Sequence, residues 1–241
     1  MGRLVDAVGP RIVRSFGRFS VEVDGFTLHG DGAAHMHYVR ELLEERRERF
    51  FVELVTAAVP PGGAVLEAGA HLGYVTLHAA RAAGPSGRVV AFEPNPGVLP
   101  LLRVNVAANG FARTVEIVAL ALADAPGRLP LNVTEGGDTS SLFDQGFAAD
   151  RIEVGVAAAD EQLRGARFDV VKLDIEGAEL AALRGMRSIL DRSAPGPVLF
   201  VECNPHMLAG AETTVDELVG WLEGRASASV GSTSANAASA R

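Results

Sequence analysis

Between residues 64 and 222 short apolar runs alternate with helix-forming stretches. Ala64–Glu67, Arg88–Glu93, Thr114–Ala121, Phe168–Ile175 and Val198–Cys203 read as strands. Helices are expected over Tyr74–Ala83, from about Gly97 to Ala108, and over Ala178–Leu190 and Thr214–Leu222. Gly84-Pro85 and Asn109-Gly110 supply stop signals for the first two. Strands apolar on both faces must be covered on both sides, which a parallel sheet between two helical layers achieves. The expected fold is α/β: a doubly wound, Rossmann-like, mostly parallel sheet. Arg128–Val133 and Arg151–Val156 are expected to pair at an edge or flap, with Gly136-Gly137 in the loop between them.

The flanks are different in kind. Residues 1–60 form an N-terminal lid segment. There Val21, Val23, Phe26 and Leu28 suit a hairpin turning at Asp24-Gly25, and Tyr38–Ala58 reads as one helix ended by Pro60-Pro61. The charged run from Glu44 to Arg49 reads as a solvated helix face. Residues 61–225 are the main domain. The Ala/Ser-rich stretch 226–241 lacks the apolar surface to offset its ordering entropy, so it is expected to be disordered.

Thirty acidic against twenty-two basic residues give a net charge of −8, which speaks against a nucleic-acid groove. One cysteine, Cys203, excludes an internal disulfide and a Cys-based zinc cluster, and reads as a buried small hydrophobe. No apolar run reaches the roughly 20 residues of a membrane span. A cytoplasmic location without membrane contact is expected, and a homo-oligomer is left open.

The chemistry begins at Glu67-Ala68-Gly69-Ala70-His71-Leu72-Gly73, a glycine turn between a strand and a helix. Ligands of such sheets sit at the carboxyl ends of the strands, near the point where the strand order reverses. Dinucleotide binding calls for G-x-G-x-x-G, and the first two of those positions are here Ala68 and Ala70. The second strand ends in Glu93, a carboxylate able to accept both hydroxyls of a ribose. Together these favour an adenosine cofactor other than NAD.

The segments LEAGAHLGYVTLHAA, VVAFEPNP, VNVAANG, ALAD, TSSL, FDVVKLDIEGAEL and FVECNP, in this order, resemble the FkbM-type S-adenosylmethionine-dependent methyltransferases. VKLDIEGAE is the most specific of them. The resemblance implies the class I methyltransferase fold, S-adenosyl-L-methionine as cofactor, and methylation of a hydroxyl on a sugar or other small secondary metabolite. It implies that Glu67, Gly69, Ala70, His71 and Gly73 frame the methionine and ribose end. Glu93 would hold the ribose hydroxyls, with Asn95 and Leu122 near the adenine and Asp174 at the junction with the substrate. His71 departs from the small amide expected there. No strand pair after the last helix matches the hairpin that normally completes the sheet.

Methyl transfer to an alcohol needs a proton acceptor. Asp174 is the first choice and His206, just past a strand end, the second. Lys172, the only lysine, sits inside an apolar strand and needs an acidic partner such as Asp174 or Glu202. Asp174, Glu176 and Glu202 gather three carboxylates at one sheet edge, which either raises one pKa to make a base or binds a divalent cation. No metal ligand is assigned, and a divalent metal is left open. Ser140 and the pair His35 and His37 remain secondary candidates. Two other readings stay on the table: a nicotinamide oxidoreductase, and a cofactor-binding domain that is impaired or needs a partner.

Overall fold

The structure, a computed structural model, describes residues 13–15, 17–44, 48–134, 140–146, 148–192 and 196–225. Gly136, Gly137, Thr139 and the stretch 226–241 lie outside the described residues.

The chain opens with β1 (Val13–Ser15), β2 (Arg18–Val23) and β3 (Phe26–Asp31), then α1 (Gly32–Leu43) and α2 (Arg49–Ala58). The main domain follows with β4 (Ala64–Ala68), α3 (Tyr74–Ala83), β5 (Arg88–Phe92), α4 (Leu99–Ala108) and β6 (Val115–Val118). Next come β7 (Ala121–Leu122), β8 (Gly127–Val133), β9 (Ser140–Ser141), β10 (Asp150–Ala157) and α5 (Ala159–Gln162). It closes with β11 (Val170–Leu173), α6 (Glu179–Arg184), α7 (Arg187–Arg192), β12 (Val198–Val201), α8 (Pro205–Gly210) and α9, over 215–225.

The central sheet runs β12-β11-β4-β5-β6 and is parallel throughout. Period-two alternation divides its side chains between two layers. Val65, Val89, Val115 and Val170 pack toward the N-terminal hairpin, α1–α3 and α4, while Leu66, Val90, Phe92, Val171 and Leu173 pack toward α6, α7 and α9. The doubly wound fold expected from the apolar strands is what the chain adopts. From β4 the chain builds outward through β5 and β6, then returns to place β11 on the other side of β4. The order reverses between β4 and β11, so their carboxyl ends open a crevice.

The hairpin turns at Asp24 (φ 51°) and Gly25 (φ 78°), the two positive φ angles that a tight two-residue turn requires. β8 and β10 pair antiparallel, as the sequence suggested, in a second sheet ordered β7-β10-β8-β9.

Four expectations need correction. The helix over Tyr38–Ala58 is two helices, α1 and α2. Val39 and Leu42 on one, and Val52 and Val55 on the other, are all buried. Along one straight helix the 13-residue offset turns through about 220° net, which would set the two pairs on opposite faces. Breaking the helix lets both face the core, and leaves Phe50 72% exposed. The helix over Ala178–Leu190 divides into α6 and α7 at Gly185, where any Cβ would strike the Ala123 carbonyl oxygen. The strand over Thr114–Ala121 ends at Val118, and β7 leaves the central sheet for the second one. Cys203 is exposed, because β12 stops at Val201 and, among the described residues, no further strand covers it. Among the described residues no strand follows β12, and no helix is long and apolar enough to cross a membrane.

Candidate active site

The crevice at the ends of β4, β5 and β11 holds about 900 Å³ of empty space, its open mouth included. Gly69 makes the turn that borders it. Its φ is +80°, and a Cβ there would collide with the carbonyl oxygen of Asp174. Glycine is thus required where β4 and β11 bring their backbones together. His71 follows in the left-handed region (φ 50°), which turns its backbone N–H toward Glu93.

Glu93 is buried, yet lines the crevice. Its Oε2 accepts the His71 N–H at 2.8 Å and its Oε1 accepts the Asn95 N–H at 2.9 Å. Burial pushes its carboxyl above the usual range, while the two N–H donors and Lys172 pull the other way. Asn95 is fixed in turn, accepting the Gly97 N–H on Oδ1 and donating from Nδ2 to Ser140 Oγ at 3.3 Å.

Glu67 and Lys172 are cross-strand partners in the β4–β11 register, and both are almost fully buried. The Thr76 hydroxyl donates to Glu67 Oε2 at 2.5 Å. Oε1 accepts no hydrogen bond and lies 3.6 Å from Lys172 Nζ. Burial pushes the Glu67 carboxyl up to about 7, against the pull of Lys172 and the Thr76 hydrogen bond. Lys172 Nζ donates to the Gly69 carbonyl at 2.9 Å and lies 3.3 Å from Asp174 Oδ2. Burial alone would discharge this ammonium, but Asp174 and Glu67 hold its pKa above the ordinary value.

Past the end of β11, Asp174, Glu176 and Glu202 each offer a carboxylate oxygen within 4.8 Å of the others. Burial, then Asp174 and Glu176, push Glu202 up to about 8, and it shares a hydrogen bond with Asp174. Crowded carboxyls reach this state by keeping a proton between them.

The Methyltransferase FkbM domain matches residues 67–227, well over half of the chain. This chain belongs to the FkbM methyltransferase family. Among its relatives is "Methyltransferase sdnD" of Sordaria araneosa, 26% identical over 167 residues that cover 54% of this chain and 62% of that protein. The chain thus spans less than two thirds of that relative's length. A probable cobalt-precorrin-6B C(15)-methyltransferase (decarboxylating) of Halobacterium salinarum is 35% identical over 66% of this chain and 78% of its own. Among solved structures, the O-methyltransferase TomG of Streptomyces achromogenes, in complex with SAM, superposes with a TM-score of 0.41 at 21% identity, covering 64% of this chain and 54% of that one.

In this FkbM-family chain the crevice collects most of the residues singled out from sequence. Glu67, Gly69, Ala70, His71, Glu93, Leu122, Lys172 and Asp174 all line it. Gly73, Asn95 and His206 stand outside that lining. Gly73 opens α3 at φ 89°, where a Cβ would come within 2.7 Å of Leu102 Cδ1. His206 is exposed in the first turn of α8. His35 is buried behind the wall, its Nδ1 at 2.9 Å from Asp31, and its ring lies 5.5 Å from that of His71. His37 is exposed.

Several lining residues were missed. Tyr38 and Glu48 reach the crevice from the N-terminal segment, and Leu142 and Ile175 from the flap and the β11 loop. For Glu48 the solvated-face reading is overturned, since its carboxylate accepts the Tyr38 hydroxyl at 3.1 Å beside the crevice.

Proposed function

We propose that this chain transfers the methyl group of S-adenosylmethionine to a hydroxyl oxygen of a small molecule. The observation that carries the reading is Glu93. It is a buried carboxylate at a strand end, each oxygen fixed by one backbone N–H, with capacity left to accept a ribose diol. The other donors and acceptors fit the same cofactor. Leu120, Ala121 and Leu122 give an apolar wall for a purine, and Glu67 Oε1 is a buried acceptor still lacking a hydrogen-bond donor. Ala68 and Ala70 stand where a nicotinamide dinucleotide would need glycine.

Bound there, S-adenosylmethionine supplies an already activated methyl electrophile, so the protein's work is positioning and proton removal. Asp174 is the proton acceptor in this reading, a step typically worth ~10²–10⁴-fold. Lys172 positions it, drawing its carboxylate toward the Gly69 turn and fixing the spacing between β4 and β11. Glu202 holds a proton beside Asp174 and limits the negative charge facing the acceptor. Among the described residues Lys172 is the only lysine or arginine lining the crevice, and it is already engaged, which suits an uncharged hydroxyl compound better than a phosphate chain.

Methyl-labelled cofactor and a panel of sugars and aliphatic alcohols test this. The reading expects label in an ether that survives base, and loss of turnover in Asp174→Asn. Label recovered only on nitrogen or carbon would exclude the hydroxyl acceptor.

A further inference from the structure

We infer that Ser140, from the second sheet, reads the purine of the cofactor: its hydroxyl donates to a ring nitrogen of the adenine, and Asn95 sets that polarity from behind. This rests on the S-adenosylmethionine reading and deepens it, since an apolar wall alone would take any flat ring.

The second sheet lends the crevice Ala121, Leu122, Leu131, Ser140 and, just past β9, Leu142. All but Ser140 are apolar, so a base lying against them meets one side chain able to hydrogen-bond. Apolar pockets orient their ligands through a few polar groups of this kind. The position of Ser140 is fixed. β9 pairs with β8 through Val133 opposite Ser140 and Asn132 opposite Ser141, and the Ser141 hydroxyl donates to the Glu176 carbonyl at 2.7 Å.

What Ser140 offers follows from Asn95, which is buried behind the lining. Asn95 Oδ1 accepts the Gly97 N–H at 2.9 Å. Turning the amide round would set Nδ2 against that N–H, donor against donor, so its orientation is settled. Nδ2 therefore faces Ser140, whose Oγ at 3.3 Å has to accept. Among the described residues that is the one hydrogen bond of the Ser140 side chain, so the hydroxyl hydrogen is left for a ligand. Asn95 also donates its own N–H to Glu93 at 2.9 Å, so the ribose carboxylate and the Ser140 hydroxyl share one anchor. A nucleoside whose ribose is held by Glu93 thus brings its base beside Ser140. Adenine presents N1, N3 and N7 as acceptors, each able to take a hydroxyl hydrogen.

The test is calorimetric and needs no methyl acceptor. S-adenosylhomocysteine and its 1-deaza, 3-deaza and 7-deaza forms, each with one ring nitrogen replaced by C–H, are titrated into wild type and Ser140→Ala. Ser140→Ala is expected to weaken S-adenosylhomocysteine about fivefold, as for one neutral hydrogen bond. One deaza form is expected to bind wild type about fivefold more weakly and to lose nothing further in Ser140→Ala, which identifies the nitrogen. Asn95→Asp is expected to weaken S-adenosylhomocysteine as well, because a carboxylate there would take the hydroxyl hydrogen, and adding Ser140→Ala to it should cost no more. Wild type that binds all three deaza forms as tightly as the parent compound overturns the inference without any variant. So does unchanged affinity in Ser140→Ala, or a full further loss when Ser140→Ala is added to Asn95→Asp. A folded wild type that binds none of the four compounds refutes the cofactor reading itself.

Discussion

Asn105 on α4 holds His29 on β3 by both of its backbone groups. Its Oδ1 accepts the His29 N–H at 2.7 Å, and its Nδ2 donates to the His29 carbonyl at 3.1 Å and to the Leu72 carbonyl at 2.8 Å. One turn later Asn109 does the same for Thr27, at 2.9 and 2.8 Å. Four helical residues rise about 6.0 Å and two strand residues about 6.6 Å, so two asparagines at i, i+4 match alternate residues of a strand. They replace the missing neighbour of β3. Because Asn105 also reaches Leu72, next to His71, they tie the N-terminal hairpin to the crevice turn.

Asn105→Ala should therefore be costly. It strands buried backbone groups of His29 and Leu72, at roughly 1–3 kcal/mol for each unsatisfied group. We expect a loss of about 3 kcal/mol in urea unfolding, and a smaller one for the less enclosed Asn109→Ala. A loss under about 1 kcal/mol for Asn105→Ala would show that the hairpin is held by packing alone.

Gly69→Ala should be worse than its one added methyl suggests. The residue sits at φ +80°, and its Cβ would run into the Asp174 carbonyl, which is backbone and cannot rotate away. Moving that carbonyl shifts Asp174 as well. Expected are a lower melting temperature and loss of cofactor binding, read by thermal melts and calorimetry. Wild-type values for both would disprove the close approach of β4 and β11.

Stability should fall as pH rises. Glu67 and Glu202 have folded-state pKa values raised to about 7 and about 8, against 4.5 for the free side chain. The folded state then holds protons that the unfolded chain has released. Their contribution is fully present below about 4.5 and is lost as pH climbs through the folded values. For buried Glu67 the effect is of order 3 kcal/mol, at about 1.4 kcal/mol per pKa unit. Glu202 adds less, because solvent screens it. Melting temperature measured from pH 5 to 8 should decline, and Glu67→Gln should flatten the decline. An identical slope in that variant would contradict the assignment.

Lys172→Met removes the cation that lies 3.6 Å from Glu67 and 3.3 Å from Asp174. Breaking a buried pair from one side typically costs about 3–5 kcal/mol. We expect destabilisation of that order above pH 7, shrinking at pH 5 where Glu67 takes up a proton. A loss independent of pH would make Lys172 a packing residue only.

The fold was legible because both-face apolar strands such as Val89–Phe92 and Val170–Leu173 leave few alternatives. The crevice was legible in part because Glu67, Gly69 and Glu93 fall at strand ends, where topology dictates the ligand's place. The break between α1 and α2 could have been read from Val39, Leu42, Val52 and Val55, whose spacing does not fit one face of one helix. Glu48 could not. Its place on the crevice wall depends on how the turn before α2 folds onto β4 and β11, and no local pattern encodes that. Asn105 and Asn109 stood within a segment that signalled the family, but their purpose needed β3 beside them. His206 looked well placed in sequence because it follows β12, yet α8 starts at once and carries it to the surface.

Calorimetric titration of the wild-type chain with S-adenosylmethionine and S-adenosylhomocysteine, with NAD as control, tests the central claim most directly. The account expects micromolar binding of the first two and none of NAD, with Glu93→Ala weakening both by the loss of two ribose hydrogen bonds at about 0.5–1.5 kcal/mol each. A folded chain that ignores both sulfur compounds, or that binds them equally well without Glu93, would contradict it.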